Sequence, residues 1–144
     1  MHKKQVSKIR AFNRFYTGVI GLLDKYLLDS RYTLPEVRVL FEIYHHGNIT
    51  SKEITELLHM DKGYLSRILV SFEQKGLIKR NANEVDGRQQ DISLSPKGEK
   101  EFLVLNEASE NQITGLLADL SKQEIVQLID HMDGIQNILS KNNK

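Results

Sequence analysis

Apolar residues recur at helical spacing along most of the chain. Ile9, Phe12, Tyr16, Val19, Leu23 and Tyr26 alternate steps of three and four, which predicts an amphipathic helix. Thr33-Leu34-Pro35-Glu36 has the form of a capping box with proline in the first turn. It opens a second helix running through Val37, Leu40, Phe41 and Tyr44 to Gly47. Ser95-Pro96 opens a long helix that carries Phe102, Leu105, Ile113, Leu116, Leu117 and Leu120. Ser121-Lys122-Gln123-Glu124 is a further capping box, followed by Ile125, Leu128, Met132, Ile135 and Leu139.

The middle of the chain, Ile49 to Ser95, changes its period twice. Thr50 with Glu53 forms a capping box ahead of Ile54, Leu57 and Leu58, the apolar stripe of a short helix. His59-Met60 is a turn, and Asp61 is an N-cap for a second helix. Leu65, Ile68, Leu69 and Phe72 fall on the buried face of that helix. Gly76 stops it, with Leu77 as the apolar residue expected just beyond. Leu77 to Asn81 then has strand character, and Gln90 to Leu94 alternates polar and apolar as a half-buried strand does. Asp86-Gly87 is the turn dipeptide between them. Helix, turn, helix, then a β-hairpin is the order of a winged helix-turn-helix.

Each part of that unit has a use on a DNA duplex. The second helix turns Lys62, Gly63, Tyr64, Ser66, Arg67 and Ser71 outwards, with Gln74. Lys62 and Arg67 suit phosphate or guanine, the serines are short donors, and Tyr64 suits phosphate or a thymine methyl. From Lys62 to Arg80 there are five basic residues and one acid, Glu73. Arg88 sits just past the hairpin tip, where a long cation can enter a narrow minor groove. Asp86, two residues earlier, is placed to hold a guanidinium by a charge-assisted bond. Taken alone, the helix face reads equally well as an ordinary solvated surface. The wing tips the balance towards DNA.

Three segments carry a family resemblance. They are Met60-Asp61-Lys62-Gly63-Tyr64-Leu65-Ser66-Arg67, then Glu73-Gln74-Lys75-Gly76-Leu77-Ile78-Lys79-Arg80, then Asp86-Gly87-Arg88 with Leu94-Ser95-Pro96-Lys97-Gly98. Together they resemble the MarR family of bacterial winged helix-turn-helix regulators, over nearly the whole chain. The resemblance implies a homodimer that binds double-stranded DNA. It also implies a small aromatic or anionic effector between the dimer helices and the winged region. Tyr16, Tyr26, Phe41 and Tyr44 are candidates to line that pocket, with Tyr32 beside them and Arg14 or Arg38 as the anion's partner. The stronger reading of these aromatics is that they belong to the core.

The dimer is also expected on physical grounds. A chain of 144 residues with 40% hydrophobic content can bury a sizeable core. Three long amphipathic helices nevertheless carry more apolar surface than a small winged unit needs. Ile9, Phe12, Tyr16, Leu128, Met132, Ile135 and Leu139 are the expected dimerisation residues, and a monomeric helical cap is the rival reading. The expected fold is mainly α with a small β-wing. Residues 32–96 form the DNA-binding winged helix-turn-helix, and 1–31 with 97–144 form a helical dimerisation region.

Composition narrows the remaining classes. Net charge is only +1, but the distribution is uneven: seven basic and two acidic residues in 1–31, five and eight in 97–144. The chain has no cysteine, which removes disulfides, thiolate metal sites and thiol redox sensing. No apolar run is long enough for a membrane span and no signal peptide is evident, so a cytoplasmic protein with no membrane partner is expected. Glu42, His45 and His46 share one helix and are the only local metal-ligand set; surface or half-buried residues at the end of that helix are the better reading, and no metal or cofactor is expected. No nucleophile elbow, phosphate-binding glycine loop or HExxH motif appears, so an enzyme is not expected. The functional expectation is a sequence-specific DNA-binding transcriptional regulator, a repressor on a pseudo-palindromic site. The alternative is a winged helix used as a protein–protein adaptor. An adaptor has no need for cations at both the helix face and the wing tip.

Overall fold

The computed structural model describes residues 2–21 and 30–141. Contacts divide the chain into two units, 1–107 and 108–144. The first contains α1 (Lys3–Val19), α2 (Leu34–His46), β1 (Ile49–Thr50), α3 (Ser51–Leu58), α4 (Lys62–Gln74), β2 (Ile78–Ala82) and β3 (Gln90–Leu94). It also holds the start of α5 (Pro96–Leu117). The second contains the end of α5 and all of α6 (Lys122–Ser140).

The caps are where the local chemistry puts them. The Thr33–Glu36 and Ser121–Glu124 boxes are both formed, and Thr50 accepts from the Glu53 N–H at 3.2 Å. Asp61 accepts from the Tyr64 N–H at 3.0 Å, satisfying one of the orphan donors at the start of α4. Gly76, at φ 72°, closes α4.

The core of the first unit lies between residues 32 and 105. Val39, Leu40 and Ile43 of α2, Ile54 of α3, and Leu65, Leu69 and Phe72 of α4 pack with Leu77, Ile92 and Phe102. The sheet is antiparallel in the order β1-β3-β2. Ile49 stands opposite Ile92, and Ile78 opposite Leu94. Within β2, Ile78, Arg80 and Ala82 share one face, because successive side chains alternate.

Three sequence expectations need correction, and one element was missed. β1 was not foreseen; two residues are too few to show an alternation. Leu57 is 49% exposed rather than part of the buried stripe, while Leu58 packs against the core. At about 100° per residue Leu58 falls closer to the direction of Ile54 than Leu57 does, and a two-turn helix has room for only a narrow stripe. The stripe from Ile9 does not continue as one helix: α1 ends at Val19, where Ile20 caps it and Gly21 takes a left-handed φ of 71°. Leu23 and Tyr26 lie outside the described residues. Leu120 lies beyond the end of α5, which stops at Leu117.

Neither α1 nor α6 buries a residue within the chain. On α1, Val6, Ile9, Phe12 and Phe15 are exposed, and Tyr16 stacks on Phe12 at 5.7 Å. On α6, Val126, Ile129, Ile135, Ile138 and Leu139 are exposed, with Ile125, Leu128 and Met132 half-buried.

Candidate nucleic-acid interface

The α4 surface follows directly from its buried face. With Leu65, Ile68, Leu69 and Phe72 turned inwards, Lys62, Gly63, Tyr64, Ser66 and Arg67 are exposed and Ser71 is half-buried. The Arg67 guanidinium lies 5.8 Å from the centre of the Tyr64 ring, within cation–π range. The Tyr64 ring thus gives Arg67 a cation–π neighbour one helical turn away.

The wing is organised by a residue that sequence reasoning passed over. Asn83 Oδ1 accepts from the N–H groups of Val85 and Asp86, each at 2.9 Å. Asn83 Nδ2 donates to Asp91 Oδ1, and the Asn83 N–H donates to the Gln89 carbonyl at 3.0 Å. An asparagine bonding the backbone two residues ahead is a recognisable turn-former, so the residue type itself was the available signal. Val85 at the tip is 98% exposed. Asp86 plays a different part from the one expected. Its Oδ1 accepts from the backbone N–H of Arg88 at 3.0 Å, and no ion pair joins the two side chains among the described residues. The carboxylate shapes the turn and leaves the exposed Arg88 side chain unpaired with it.

The root of the wing is tied to the end of α4. Ser95 donates its N–H to Leu77 and its hydroxyl to the Gly76 carbonyl at 2.5 Å, and it accepts from the Gly98 N–H at 3.0 Å. Lys97 Nζ donates to the Lys75 carbonyl. A Cβ on Gly98 would stand 2.0 Å from the Leu77 carbonyl oxygen. The serine and glycine of the Leu94–Gly98 motif thus have separate physical reasons: one bridges two backbone segments, and the other lets them touch.

A cleft of about 690 Å³ lies between α3, α4 and the wing. Lys52, Lys62, Arg80 and Arg88 line it, and no carboxylate among the described residues does. Arg80 Nε is buried, without a hydrogen-bond partner among the described residues, and stands 3.2 Å from Glu73 Oε2. The distance qualifies as an ion pair, while the angle is too poor for a hydrogen bond. Lys52, Arg80 and Gln90 join this surface only because the fold brings α3 and the sheet to α4.

Other expected sites fall elsewhere. Phe41 and Tyr44 flank the Phe102 ring at 6.2 and 4.4 Å, an aromatic cluster at the core's edge. A second cleft of about 300 Å³ contains Arg38 with Pro35, His59 and Tyr64. Neither cleft includes Tyr16, Phe41 or Tyr44, and Tyr26 lies outside the described residues. His46 Nδ1 is 2.9 Å from the Glu42 carbonyl oxygen, and His45 packs on Phe41. Among the described residues no three His, Asp or Glu side chains converge on a metal position. No described helix is long and apolar enough to cross a membrane.

Comparison with known proteins gives the same answer from separate directions. The MarR family model matches residues 32–89. The organic hydroperoxide resistance transcriptional regulator of Bacillus subtilis is 37% identical over 100 residues; the match spans 69% of this chain and 65% of that one. The HTH-type transcriptional regulator MgrA of Staphylococcus aureus is 32% identical over 119 residues, covering 83% of this chain and 76% of its own. In structure, FabT of Streptococcus pneumoniae, solved in complex with DNA, superposes with a TM-score of 0.79 at 17% identity, over 97% of this chain and 99% of that one. With its winged fold and these matches, the chain belongs to the MarR family of winged helix-turn-helix transcriptional regulators.

Proposed function

We propose that this protein is a sequence-specific DNA-binding repressor that occupies a pseudo-palindromic operator as a homodimer and leaves it when a small aromatic or anionic effector binds. The observation that carries the DNA reading is the set of exposed cations Lys62 and Arg67 on α4 and Arg88 on the wing, beside a cleft that Lys52, Lys62, Arg80 and Arg88 line with no carboxylate among the described residues. An adaptor has no need for cations at both the helix face and the wing tip. Structural likeness to FabT, solved in complex with DNA, supports the same reading.

Lys62 sits at the start of α4, where it supplies a phosphate contact that fixes register. Arg67, with the Tyr64 ring as its neighbour, reads a base edge in the major groove, with Ser66 and Ser71 as shorter donors. Gly63 leaves the helix low enough to approach the groove floor. Arg88 enters the adjacent minor groove from a turn that Asp86 shapes. The exposed Ile9, Phe12, Ile135 and Leu139 of α1 and α6, with the half-buried Leu128 and Met132 beside them, supply the dimer contact. Two recognition helices about one DNA turn apart, ~34 Å, then read a two-fold site.

The test combines titration and mass. The protein is titrated with duplexes from its own upstream region at several salt concentrations, and its mass is measured by light scattering. Specific binding that weakens steeply with salt, and twice the 16.6 kDa chain mass, are expected. Arg88→Ala should lose affinity with no change in mass, and Arg88→Lys should restore only part of it, because lysine lacks the planar fork. Absence of salt-dependent duplex binding would sink the DNA reading. A persistent monomer would sink the palindromic one.

A further inference from the structure

We infer that the cleft between α4 and the wing seats consecutive phosphates of the DNA strand that divides the two grooves, and that Glu73 holds Arg80 in reserve as one of their ligands. This rests on the DNA-binding reading above and adds a site to it. A helix in the major groove and a wing in the neighbouring minor groove lie on either side of one sugar–phosphate strand. That strand has to pass between them. The space between them is the 690 Å³ cleft, lined by Lys52, Lys62, Arg80 and Arg88 with no carboxylate among the described residues, and Ser66 adds a hydroxyl donor. Cations from α3, α4, β2 and the wing around one cleft of this volume fit a run of negative charges better than a single small anion.

Arg80 is the unusual member. It shares the β2 face of Ile78, which is buried, so its side chain turns towards α4 rather than towards solvent. Its Nε is buried and lacks a hydrogen bond, with Glu73 Oε2 3.2 Å away. The Glu73 side chain is 53% exposed. Its carboxylate can swing into water at little cost, whereas the guanidinium stays where the cleft needs it. A phosphate entering the cleft offers two acceptor oxygens that match the planar fork of arginine. Glu73 thus occupies Arg80 in the free protein and yields it to the backbone in the complex. The pair sets how strongly the protein holds any duplex, independently of base sequence.

The experiment measures affinity for a duplex of unrelated sequence against salt concentration. It compares the wild type with Lys52→Ala, Glu73→Gln, Glu56→Gln and the double variant Glu73→Gln/Arg80→Gln, the last against Arg80→Gln alone. Glu56, exposed on α3, controls for the general loss of a negative charge. Lys52→Ala should lower affinity and reduce the slope of log affinity against log salt by ~0.9, the value for one phosphate contact. Glu73→Gln should raise affinity about threefold beyond the control, and the gain should vanish when Arg80 is absent. A Glu73→Gln effect no larger than that of Glu56→Gln, or an unchanged slope in Lys52→Ala, overturns the inference. Neither arm depends on the Arg80→Gln chains folding. A gain that survives removal of Arg80 also overturns it. Binding by free inorganic phosphate with no change in these duplex slopes assigns the cleft to small anions and overturns it as well. If the wild type binds no duplex at all, the DNA reading itself has failed. If it binds and the variants match it, only the cleft assignment has.

Discussion

Asn83 Nδ2 donates to Asp91 Oδ1 at 2.7 Å, closing the neck of the wing, while Asn83 Oδ1 accepts from two backbone N–H groups of the tip. One side chain therefore fixes both the base and the turn of the loop that presents Arg88. Asn83→Ala should cost the fold less than ~1 kcal/mol, since the freed N–H groups can turn to water. It should nevertheless lose much of the affinity that Arg88→Ala loses, because a loose wing spends little time in the groove. Asn83→Asp should be worse, placing a second carboxylate against Asp91. Thermal midpoints and duplex titrations at one salt concentration check this; a tightly binding Asn83→Ala protein would refute the wing's dependence on it.

Gly98 and the Leu77 carbonyl are in contact that no larger residue can share. Gly98→Ala places a methyl 2.0 Å from a backbone oxygen, with no flexible side chain to move aside. The expected cost is about 3 kcal/mol or more, a drop in midpoint of over ~10 °C for a domain of this size. Gly115 lies in the same helix with open space where a Cβ would stand. Gly115→Ala should instead gain about 0.5–1 kcal/mol from helix propensity. Calorimetry on the pair distinguishes a packing requirement from a general intolerance of change in α5.

Arg67 and Lys62 should fail differently on DNA. Arg67→Ala should weaken specific binding by ~1–3 kcal/mol per half-site and flatten preference at one base position. Tyr64→Ala should reproduce part of that loss, since the ring 5.8 Å from the guanidinium is its cation–π neighbour. Lys62→Ala should weaken all sequences alike and lower the salt slope. Titrations against a set of single-base operator variants read both effects. Equal losses across all bases in Arg67→Ala would remove it from the base-reading role.

Tyr32 gives the fold an alkaline limit. Burial, then its hydrogen bond to Glu101, then the Glu101 charge push its hydroxyl well above the ordinary tyrosine value of 10.0. The folded state therefore favours the neutral phenol. Its contribution to stability is full below pH 10.0 and drains away as pH rises above that value. Tyr32→Phe should cost about 1 kcal/mol at neutral pH, with Glu101 keeping Arg31 3.8 Å away. It should also flatten the decline of stability above pH 10, and denaturant unfolding at pH 7 and pH 10.5 compares the two. An identical alkaline decline in both proteins would remove Tyr32 as its cause.

What the sequence disclosed and what it hid divide along the range of the interactions. Thr33, Thr50, Asp61 and Ser121 cap their helices through partners three residues away, so their roles could be read in place. The face of α4 was legible for the same reason: period alone separates Phe72 from Arg67. Arg80 was not legible as a cleft residue, because its neighbours Lys52 and Arg88 come from α3 and the wing. Asp86 was read as a partner for the Arg88 side chain, whereas a short carboxylate in a turn reaches the backbone N–H first. β1 depends on pairing with Ile92 across 43 positions, which two residues cannot announce.

The wing tip separates shape from content. Its backbone is dictated from within by Asn83 and Asp86, while the side chain of Val85, 98% exposed, takes no part in holding it. Selection can therefore exchange that residue freely, trying new chemistry at the end of a finger whose posture never changes. Related regulators have a cheap way to drift apart in the sites they prefer, and a protein engineer has a position where a fluorophore or a new side chain can be hung without refolding anything.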